Sequence, residues 1–255
     1  MDLKGKVALV TGGATGIGRA TVLALAKAGA AGVAINYRTA KKEAEKVAAQ
    51  ARKAGARALC VHADVKSEED VRQMIREVNR HFRRLDVLIN NAGVTHWVPV
   101  KDLKRLSDEV WDDILDVNVK GAFRCARAAA PLLDKSGGMI VNVSSISGII
   151  APATMSSLAY GAAKAALIHL TRGLAVALAP KVRVNAVAPA FTDTPWMKNH
   201  YRGDYKQVIA KAASNYPLKR IAKPEDVASA IVGLVTGGDF VTGQTLIVDG
   251  GLSLS

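Results

Sequence analysis

The sequence predicts an α/β protein built on a doubly wound sheet of about seven parallel strands with helices on both faces. Three observations predict it. Short apolar runs alternate with longer segments of helical spacing along all 255 residues. A glycine-rich turn joins the first apolar run to the first helical segment. No linker, repeat or low-complexity segment interrupts the alternation, so we expect one domain over residues 1–255.

The strands and helices follow from local patterns. The short apolar runs predict strands over residues 6–11, 32–37, 57–62, 85–90, 139–143, 182–187 and 244–249. Apolar residues at helical spacing predict helices over 19–28, 40–54, 67–82, 107–133, 157–179 and 224–235, and an irregular helical region over 195–216. Glycines at 29 and 55 end the first two helices, whereas Ser67 and Pro224 begin later ones. Strands joined through helices form a parallel sheet with right-handed crossovers.

The turn after the first strand has the spacing G-x-x-x-G-x-G. Gly12, Gly16 and Gly18 permit a tight turn and a close approach of the backbone to a pyrophosphate. Thr15 and Ile17 lie between them, at the start of a helix whose first amides can bind an anion. The turn therefore predicts a dinucleotide site.

Tyr160 and Lys164 are four residues apart and share one face of a predicted helix. A lysine ammonium near a phenol favours the phenolate and lowers the pKa of the tyrosine towards neutrality. Such a pair is also common on solvated helices, so its meaning depends on the rest of the chain.

Composition narrows the class of protein. The net charge is +13, but the basic residues are scattered, which indicates a solvated surface and no nucleic-acid partner. Two cysteines without paired spacing fit a reducing compartment, and the first apolar run is too short for a signal peptide. No stretch is expected to span a membrane, and the five histidines lack ligand spacing, so we expect a cytoplasmic protein without a metal site.

Several separated motifs, in this order and spacing, resemble the short-chain dehydrogenase/reductase family over essentially the whole chain. They are the glycine turn at 11–18, Asp64-Val65, Asn90-Asn91-Ala92-Gly93, Asn118, Ser144-Ser145, the Tyr160/Lys164 pair, Pro189 and Asp249-Gly250-Gly251. The resemblance implies a Rossmann-like fold and an oxidoreductase that interconverts a carbonyl and a secondary alcohol.

The resemblance also implies catalytic roles. Ser145 would bind the substrate oxygen and Tyr160 would donate the proton. Lys164 would bind the nicotinamide ribose and lower the pKa of Tyr160, and Asn118 would hold a water in a proton relay. Ser145 lies two residues farther from Tyr160 than in many relatives, so Ser147 stays the alternative.

The end of the second strand bears on the choice of cofactor. Tyr37, Arg38 and Thr39 stand where an acidic residue would bind the ribose 2′-hydroxyl of NAD. Arg38 suits a 2′-phosphate, so NADP(H) is expected, with NAD(H) as the alternative. Arg38 could instead only face solvent. The resemblance implies that Asp64 and Val65 contact the adenine, and the alternative is that Asp64 only begins the next helix.

The remaining cofactor contacts are implied at the ends of the fourth and sixth strands: Asn91, Ala92, Gly93, Pro189, Ala190 and Thr192. The family usually has glycine at Ala190, and alanine resists a positive φ, so a different or ordinary local backbone is expected there. The variable substrate lid corresponds to about 190–220. Its aromatic residues could pack the core or line a pocket.

The sequence as a whole is similar to those of 3-oxoacyl-carrier-protein reductases, and the basic surface would suit an acidic acyl carrier protein. Sugar or other small-alcohol dehydrogenases of the same family are the alternative. From other classes, a catalytically silent cofactor-binding protein or a basic nucleic-acid-binding protein remains. Relatives usually assemble through the 107–133 and 157–179 helices and the last strand, so a homotetramer, or a homodimer, is implied.

Overall fold

A computed structural model of the protein describes residues 1–150 and 158–254. Its seven strands form one parallel sheet in the order β3-β2-β1-β4-β5-β6-β7. They are β1 (Val7–Val10), β2 (Gly32–Tyr37), β3 (Arg57–His62), β4 (Val87–Asn90), β5 (Met139–Val143), β6 (Arg183–Pro189) and β7 (Thr245–Val248). The order reverses between β1 and β4, which confirms the predicted doubly wound sheet.

Helices cover both faces of this sheet. They are α1 (Gly16–Lys27), α2 (Lys41–Lys53), α3 (Glu68–Phe82), α4 (Asp108–Leu115), α5 (Ala122–Ser136), α6 (Leu158–Leu178), α7 (Pro195–Tyr201), α8 (Tyr205–Ser214) and α9 (Pro224–Thr236). One core cluster packs α1, α2 and α9 on one face, and a second packs α3, α5 and α6 on the other. The central strands β1, β4 and β5 are buried throughout, as continuous apolar runs between two helical layers should be.

The helix predicted over 107–133 is divided in the structure. Between α4 and α5, Asp116–Gly121 forms a π-helical turn. The Asn118 side-chain amide donates to the Ile114 carbonyl at 2.8 Å, and this carbonyl would accept the Asn118 backbone amide in an α-helix. The side chain thus takes a backbone bond, and the helix accommodates an extra residue, a feature that is frequent at functional sites.

Helix α6 differs from another expectation. Its 21 residues are long and apolar enough to cross a membrane by length and composition, although no such stretch was expected. In the fold, 44% of its apolar window is buried, and the helix packs against β5, β6 and the π-helical turn. Core helices of this kind pass the same test of length and composition.

The doubly wound topology places the site. The carboxyl ends of β1 and β4 lie side by side at the reversal, with β5 next to β4. The loops that follow these three strands contain the glycine turn, Asn91 and Ser145. Helix α6 crosses the same edge and brings Tyr160 and Lys164 to it.

Candidate active site

The glycine turn has the backbone that a phosphate cradle requires. Gly12 and Gly16 have φ values of +61° and +52°, in the region that favours glycine. A Cβ at Gly18 would lie 2.3 Å from the Gly12 carbonyl oxygen and 2.5 Å from the Asn91 side-chain nitrogen. The turn is therefore closed on itself and on the neighbouring strand end.

Helix α1 begins inside this turn, three residues before the predicted start. Thr15 is its N-cap in an extended conformation, and its side chain makes no capping hydrogen bond. The first amides of α1 thus keep their donors for an anion. Ile17 is half-buried beside Gly16 and Gly18. These residues fit the pyrophosphate of a dinucleotide.

Two polar residues that were not predicted as site residues hold the turn in place. The Thr11 hydroxyl accepts the backbone amides of Asn91 and Ala92, each at 3.0 Å. The Asn36 side chain accepts the Gly12 amide at 3.1 Å and donates to the Ala63 carbonyl at 3.0 Å. Both side chains are buried. An asparagine at the end of a predicted apolar strand was the sequence signal that could have identified Asn36 as a site residue.

Gly18→Ala should disrupt this turn, because the added methyl group has no space. We expect a loss of about 1–3 kcal/mol of unfolding free energy and weaker binding of a dinucleotide. Thermal melting and a fluorescence titration with NADPH measure the two effects. Gly233→Ala is the matched control, since a Cβ at Gly233 in α9 meets nothing within 4 Å. Equal behaviour of the two variants would contradict the role of Gly18.

Ser145, Tyr160 and Lys164 meet at the carboxyl end of β5. The hydroxyls of Ser145 and Tyr160 share a hydrogen bond. The Lys164 Nζ donates to the Val143 carbonyl at 2.9 Å and lies 5.5 Å from the centre of the Tyr160 ring. The Ser144 hydroxyl donates to the Lys164 carbonyl at 2.8 Å, which fixes α6 on the strand end. The side chains of Ser145, Tyr160 and Lys164 are all buried.

The electrostatics of this group differ from the sequence expectation. Burial raises the pKa of Tyr160 to about 12, although the bond from Ser145 opposes the rise. Burial also lowers the pKa of Lys164 to about 7. The expected fall in the Tyr160 pKa is therefore wrong for the protein alone, because desolvation disfavours both charged forms. A phenol with this pKa keeps its proton at neutral pH, so it can donate a hydrogen bond to an acceptor beside it.

Asn118 lies close to this group through the π-helical turn. Its side-chain nitrogen donates to the carbonyls of Val94 and Ile114, and its buried Oδ1 has no hydrogen-bond partner among the described residues. A Cβ at Gly93 would lie 2.9 Å from this Oδ1 and 3.5 Å from the Lys164 Nζ. Gly93 therefore leaves space between an orphaned acceptor and the lysine, which suits a bridging water.

Ser147, the alternative serine, lies in the short 3₁₀ turn Ile146–Gly148. Its backbone amide donates to the Ser145 hydroxyl at 3.2 Å. This bond and the Tyr160 contact both engage the Ser145 hydroxyl. The residues that lengthen the loop between Ser145 and Tyr160 lie outside the described residues.

The predicted adenosine contacts lie at the ends of β2 and β3. An Arg38 nitrogen lies 3.5 Å from an Asp64 carboxylate oxygen, and the arginine side chain is 58% exposed. Thr39 is exposed beside it, and the Tyr37 ring packs edge-on against His62. Arg38 and Thr39 can therefore reach a ligand at this edge.

Val65 faces inward from this edge. It is buried against Gly121, where a Cβ would lie 2.9 Å from its side chain. The side chain of Val65 thus packs against the helix layer.

The segment after β6 keeps an ordinary backbone. Pro189 ends the strand, and Ala190 does not have a positive φ. The Ala190 amide donates to the Val248 carbonyl at 3.1 Å. The Thr192 hydroxyl donates to the Ala190 carbonyl at 2.9 Å and so turns back into its own loop. The alanine thus fits without the conformation that glycine allows.

Among the described residues, no group of three or more His, Cys, Asp or Glu side chains could hold a metal ion.

One acidic residue that the sequence did not single out joins two segments near the site. Asp113 of α4 accepts Lys66 and contacts His96, both at 2.8 Å. It thereby ties the loops after β3 and β4 to α4.

Comparisons with known proteins agree over nearly the full length. A family profile described as enoyl-(acyl carrier protein) reductase matches residues 12–253. A protein named ketoacyl reductase 2 of the granaticin polyketide synthase of Streptomyces violaceoruber is 44% identical, covering 97% of this chain and 96% of the relative. The 3-oxoacyl-[acyl-carrier-protein] reductase FabG of Staphylococcus epidermidis is 38% identical, covering 97% of this chain and 98% of the relative.

Solved structures share the fold. A short-chain type dehydrogenase/reductase from Mycobacterium marinum superposes with a TM-score of 0.90 at 32% identity, covering 100% of this chain and 98% of the other. Sequence, fold and the order of the motifs thus agree: the chain belongs to the short-chain dehydrogenase/reductase family of oxidoreductases.

Proposed function

We propose that the protein reduces a ketone to a secondary alcohol with NADPH, and that its substrate is a 3-oxoacyl group carried as a thioester. The observation that carries the proposal is the buried Ser145–Tyr160 hydroxyl pair beside Lys164. Each hydroxyl has one proton, so once the hydrogen bond between them opens, both can donate to one carbonyl oxygen. The description of the matching family profile names a reductase of a carbon–carbon double bond, whereas the relatives named as ketoacyl reductases favour a ketone.

Each residue would have a distinct task. Ser145 orients the carbonyl oxygen, and Tyr160 donates its proton to that oxygen as negative charge develops there. Lys164, when protonated, stabilises the phenolate that remains. Asn118 accepts from a water through its orphaned Oδ1, and that water returns a proton to the group. At neutral pH Tyr160 holds its proton, as a donor in reduction must.

The cofactor would lie along the ends of β1, β2 and β4. When bound, a dihydronicotinamide supplies the hydride that adds to the carbonyl carbon. The glycine turn and the first amides of α1 would hold its pyrophosphate, and Arg38 with Thr39 would hold a 2′-phosphate. Asp64 beside Arg38 would orient the guanidinium.

Arg38→Ala should weaken binding of NADPH and leave binding of NADH almost unchanged. A guanidinium on a phosphate forms charge-assisted hydrogen bonds, so we expect the Kd for NADPH to rise by roughly tenfold or more. Titration calorimetry of both dinucleotides measures the ratio. Arg57→Ala is the control, since Arg57 begins β3 and binds the His81 carbonyl. An unchanged ratio in Arg38→Ala would exclude the 2′-phosphate contact.

The thioester substrate is supported by two observations. The relatives at 44% and 38% identity are named as a ketoacyl reductase and as a 3-oxoacyl-[acyl-carrier-protein] reductase. The net charge of +13 is complementary to an acidic carrier protein. The partner would then be an acyl carrier protein that presents the ketone to the buried hydroxyls.

A panel of substrates tests this function. NADPH oxidation is followed with an acetoacetyl thioester, with simple ketones, and in the reverse direction with glucose and NADP. We expect turnover of the ketones and the thioester, and no oxidation of glucose. Absence of thioester reduction would remove the acyl substrate. Absence of any carbonyl reduction would remove the proposed reaction.

We also propose a cytoplasmic homotetramer. The outward face of α6 carries small residues, and Val176 on it is 81% exposed. The edge strand β7 exposes Leu246 and Ile247 at 43% and 40%. Exposed apolar faces on a helix and on a sheet edge support association of copies through both.

A further inference from the structure

The aromatic residues of the lid region, 190–220, divide into two groups. Phe191 and Tyr216 are buried in a small core cluster, where the Tyr216 hydroxyl accepts the Phe191 amide at 3.1 Å. The Tyr205 hydroxyl donates to Asp193 at 2.7 Å. These rings hold the lid together. Trp196 is different, because it is 40% exposed and belongs to no core cluster among the described residues.

Trp196 lies beside the reacting hydroxyl. Its ring centre is 6.0 Å from that of Tyr160, at an interplanar angle of 69°. Trp97, from the loop after β4, lies 5.8 Å from Trp196, and His200 stacks on Trp97 at 3.8 Å and 12°. We call Trp97, Trp196 and His200 the aromatic wall. It joins the end of β4 to α7 next to the Ser145–Tyr160 pair.

The position of α7 against the glycine turn fixes this wall at the mouth of the site. A Cβ at Gly16 would lie 3.4 Å from the Thr194 side chain, directly before α7. The opposite end of the wall rests on the buried core of the lid, since Trp97 packs against that cluster. Trp196 is thus held between the cofactor turn and the proton donor.

The charged groups of α7 are engaged away from the wall. The Lys198 Nζ lies 3.0 Å from Asp193, which also accepts Tyr205. Partial burial lowers the pKa of His200, so its ring is neutral at neutral pH. The wall therefore offers flat π-faces and no charged group.

We propose that the aromatic wall binds the ring or conjugated part of a planar ketone whose carbonyl rests on Ser145 and Tyr160. The inference rests on the proposed function and specifies its substrate class: 3-oxoacyl groups and other ketones that carry a ring, over short linear ones. Stacked rings gain energy beyond their buried area, and a short alkyl ketone cannot make these contacts. A polyhydroxylated substrate would find only the two indole N–H groups and the His200 ring as polar partners on the wall.

The experiment compares 1-tetralone with 2-butanone as substrates, with NADPH, in wild type and three variants. Trp196→Leu removes the ring, Trp196→Phe keeps a ring, and Phe240→Leu removes a fully exposed ring elsewhere as the control. We expect Trp196→Leu to lower kcat/KM for 1-tetralone about tenfold more than kcat/KM for 2-butanone, mainly through KM. Trp196→Phe should retain most of the preference, and Phe240→Leu all of it.

Equal losses on both ketones in Trp196→Leu, or no loss on 1-tetralone, would overturn the role of the wall. Wild type that reduces 2-butanone or an acetoacetyl thioester but not 1-tetralone would also overturn it, and the proposed function would stand. Wild type that reduces no carbonyl compound would overturn the proposed function and the wall with it.

Discussion

Tyr160→Phe should lower the rate of ketone reduction by roughly 10²–10⁴-fold, the range that a positioned proton donor contributes. The variant removes one hydroxyl from a buried ring, and Ser145 keeps the bond that it accepts from the Ser147 amide. The fold and the glycine turn are untouched, so NADPH should still bind. The loss should appear in kcat.

Single-turnover oxidation of bound NADPH measures this loss, and fluorescence titration checks that the cofactor binds. Tyr201→Phe is the matched control, because it removes a hydroxyl from a lid ring whose centre lies 6.3 Å from that of Trp97. A Tyr160→Phe variant that keeps turnover within about threefold of wild type would show that another group donates the proton.

Lys164→Met should make the protein more stable while it lowers turnover by about 10² or more. Burial lowers the pKa of Lys164 to about 7. Since the ordinary value is near ~10.4 and each pKa unit is worth ~1.36 kcal/mol, burying this amine costs on the order of 4 kcal/mol at neutral pH. Loss of the bond to the Val143 carbonyl offsets about 1 kcal/mol of that gain. We expect a net gain of about 2–3 kcal/mol.

The stability difference between wild type and Lys164→Met should depend on pH. Between pH of about 7 and the ordinary lysine value, the unfolded chain binds the proton and the folded chain does not. Stability of the wild type therefore rises with pH in this window. Lys164→Met removes this contribution, so the two proteins should converge in stability as the pH approaches about 10.

Urea unfolding of the cofactor-free proteins at several pH values measures this difference. Lys198→Met is the control, because Lys198 is a half-exposed lysine paired with Asp193 at the surface. A destabilised Lys164→Met variant at pH 7, or a difference that does not shrink at higher pH, would contradict a desolvated amine.

The rate of reduction should also depend on the titration of Lys164, but it should fall over the pH range in which the stability rises. Lys164 is protonated below pH of about 7, where it can stabilise the phenolate that Tyr160 becomes. The rate of reduction should thus fall as the pH rises through about 7. A profile that is flat across this range would exclude a titrating Lys164 from the rate.

The alternation of apolar runs and helical segments was sufficient to predict the sheet. Strand β5 was predicted at its observed bounds, because Gly137 and Gly138 and the serines after Val143 mark its ends locally. The start of α1 was predicted three residues late, since Gly16 and Gly18 have low helix propensity. Their place in the first turn depends on the contacts of the loop with Asn91 rather than on propensity.

The features that the sequence could not predict arise from tertiary contacts. The π-helical turn forms because the Asn118 side chain takes the Ile114 carbonyl. The shifted pKa values of Tyr160 and Lys164 arise from burial, which spacing along a helix does not determine. Whether a lid ring belongs to the core or to the aromatic wall depends on its contact with Trp97, which lies in a loop distant in sequence.

The position of the transferred hydride in the product tests carbonyl reduction most directly. The wild-type protein is given NADPH that carries deuterium at the transferred position, together with an acetoacetyl thioester, and the product is analysed by mass spectrometry and NMR. We predict a 3-hydroxyacyl thioester with one deuterium on the alcohol carbon. An unlabelled product, or deuterium on another carbon with the ketone intact, would contradict carbonyl reduction at the Ser145–Tyr160 pair.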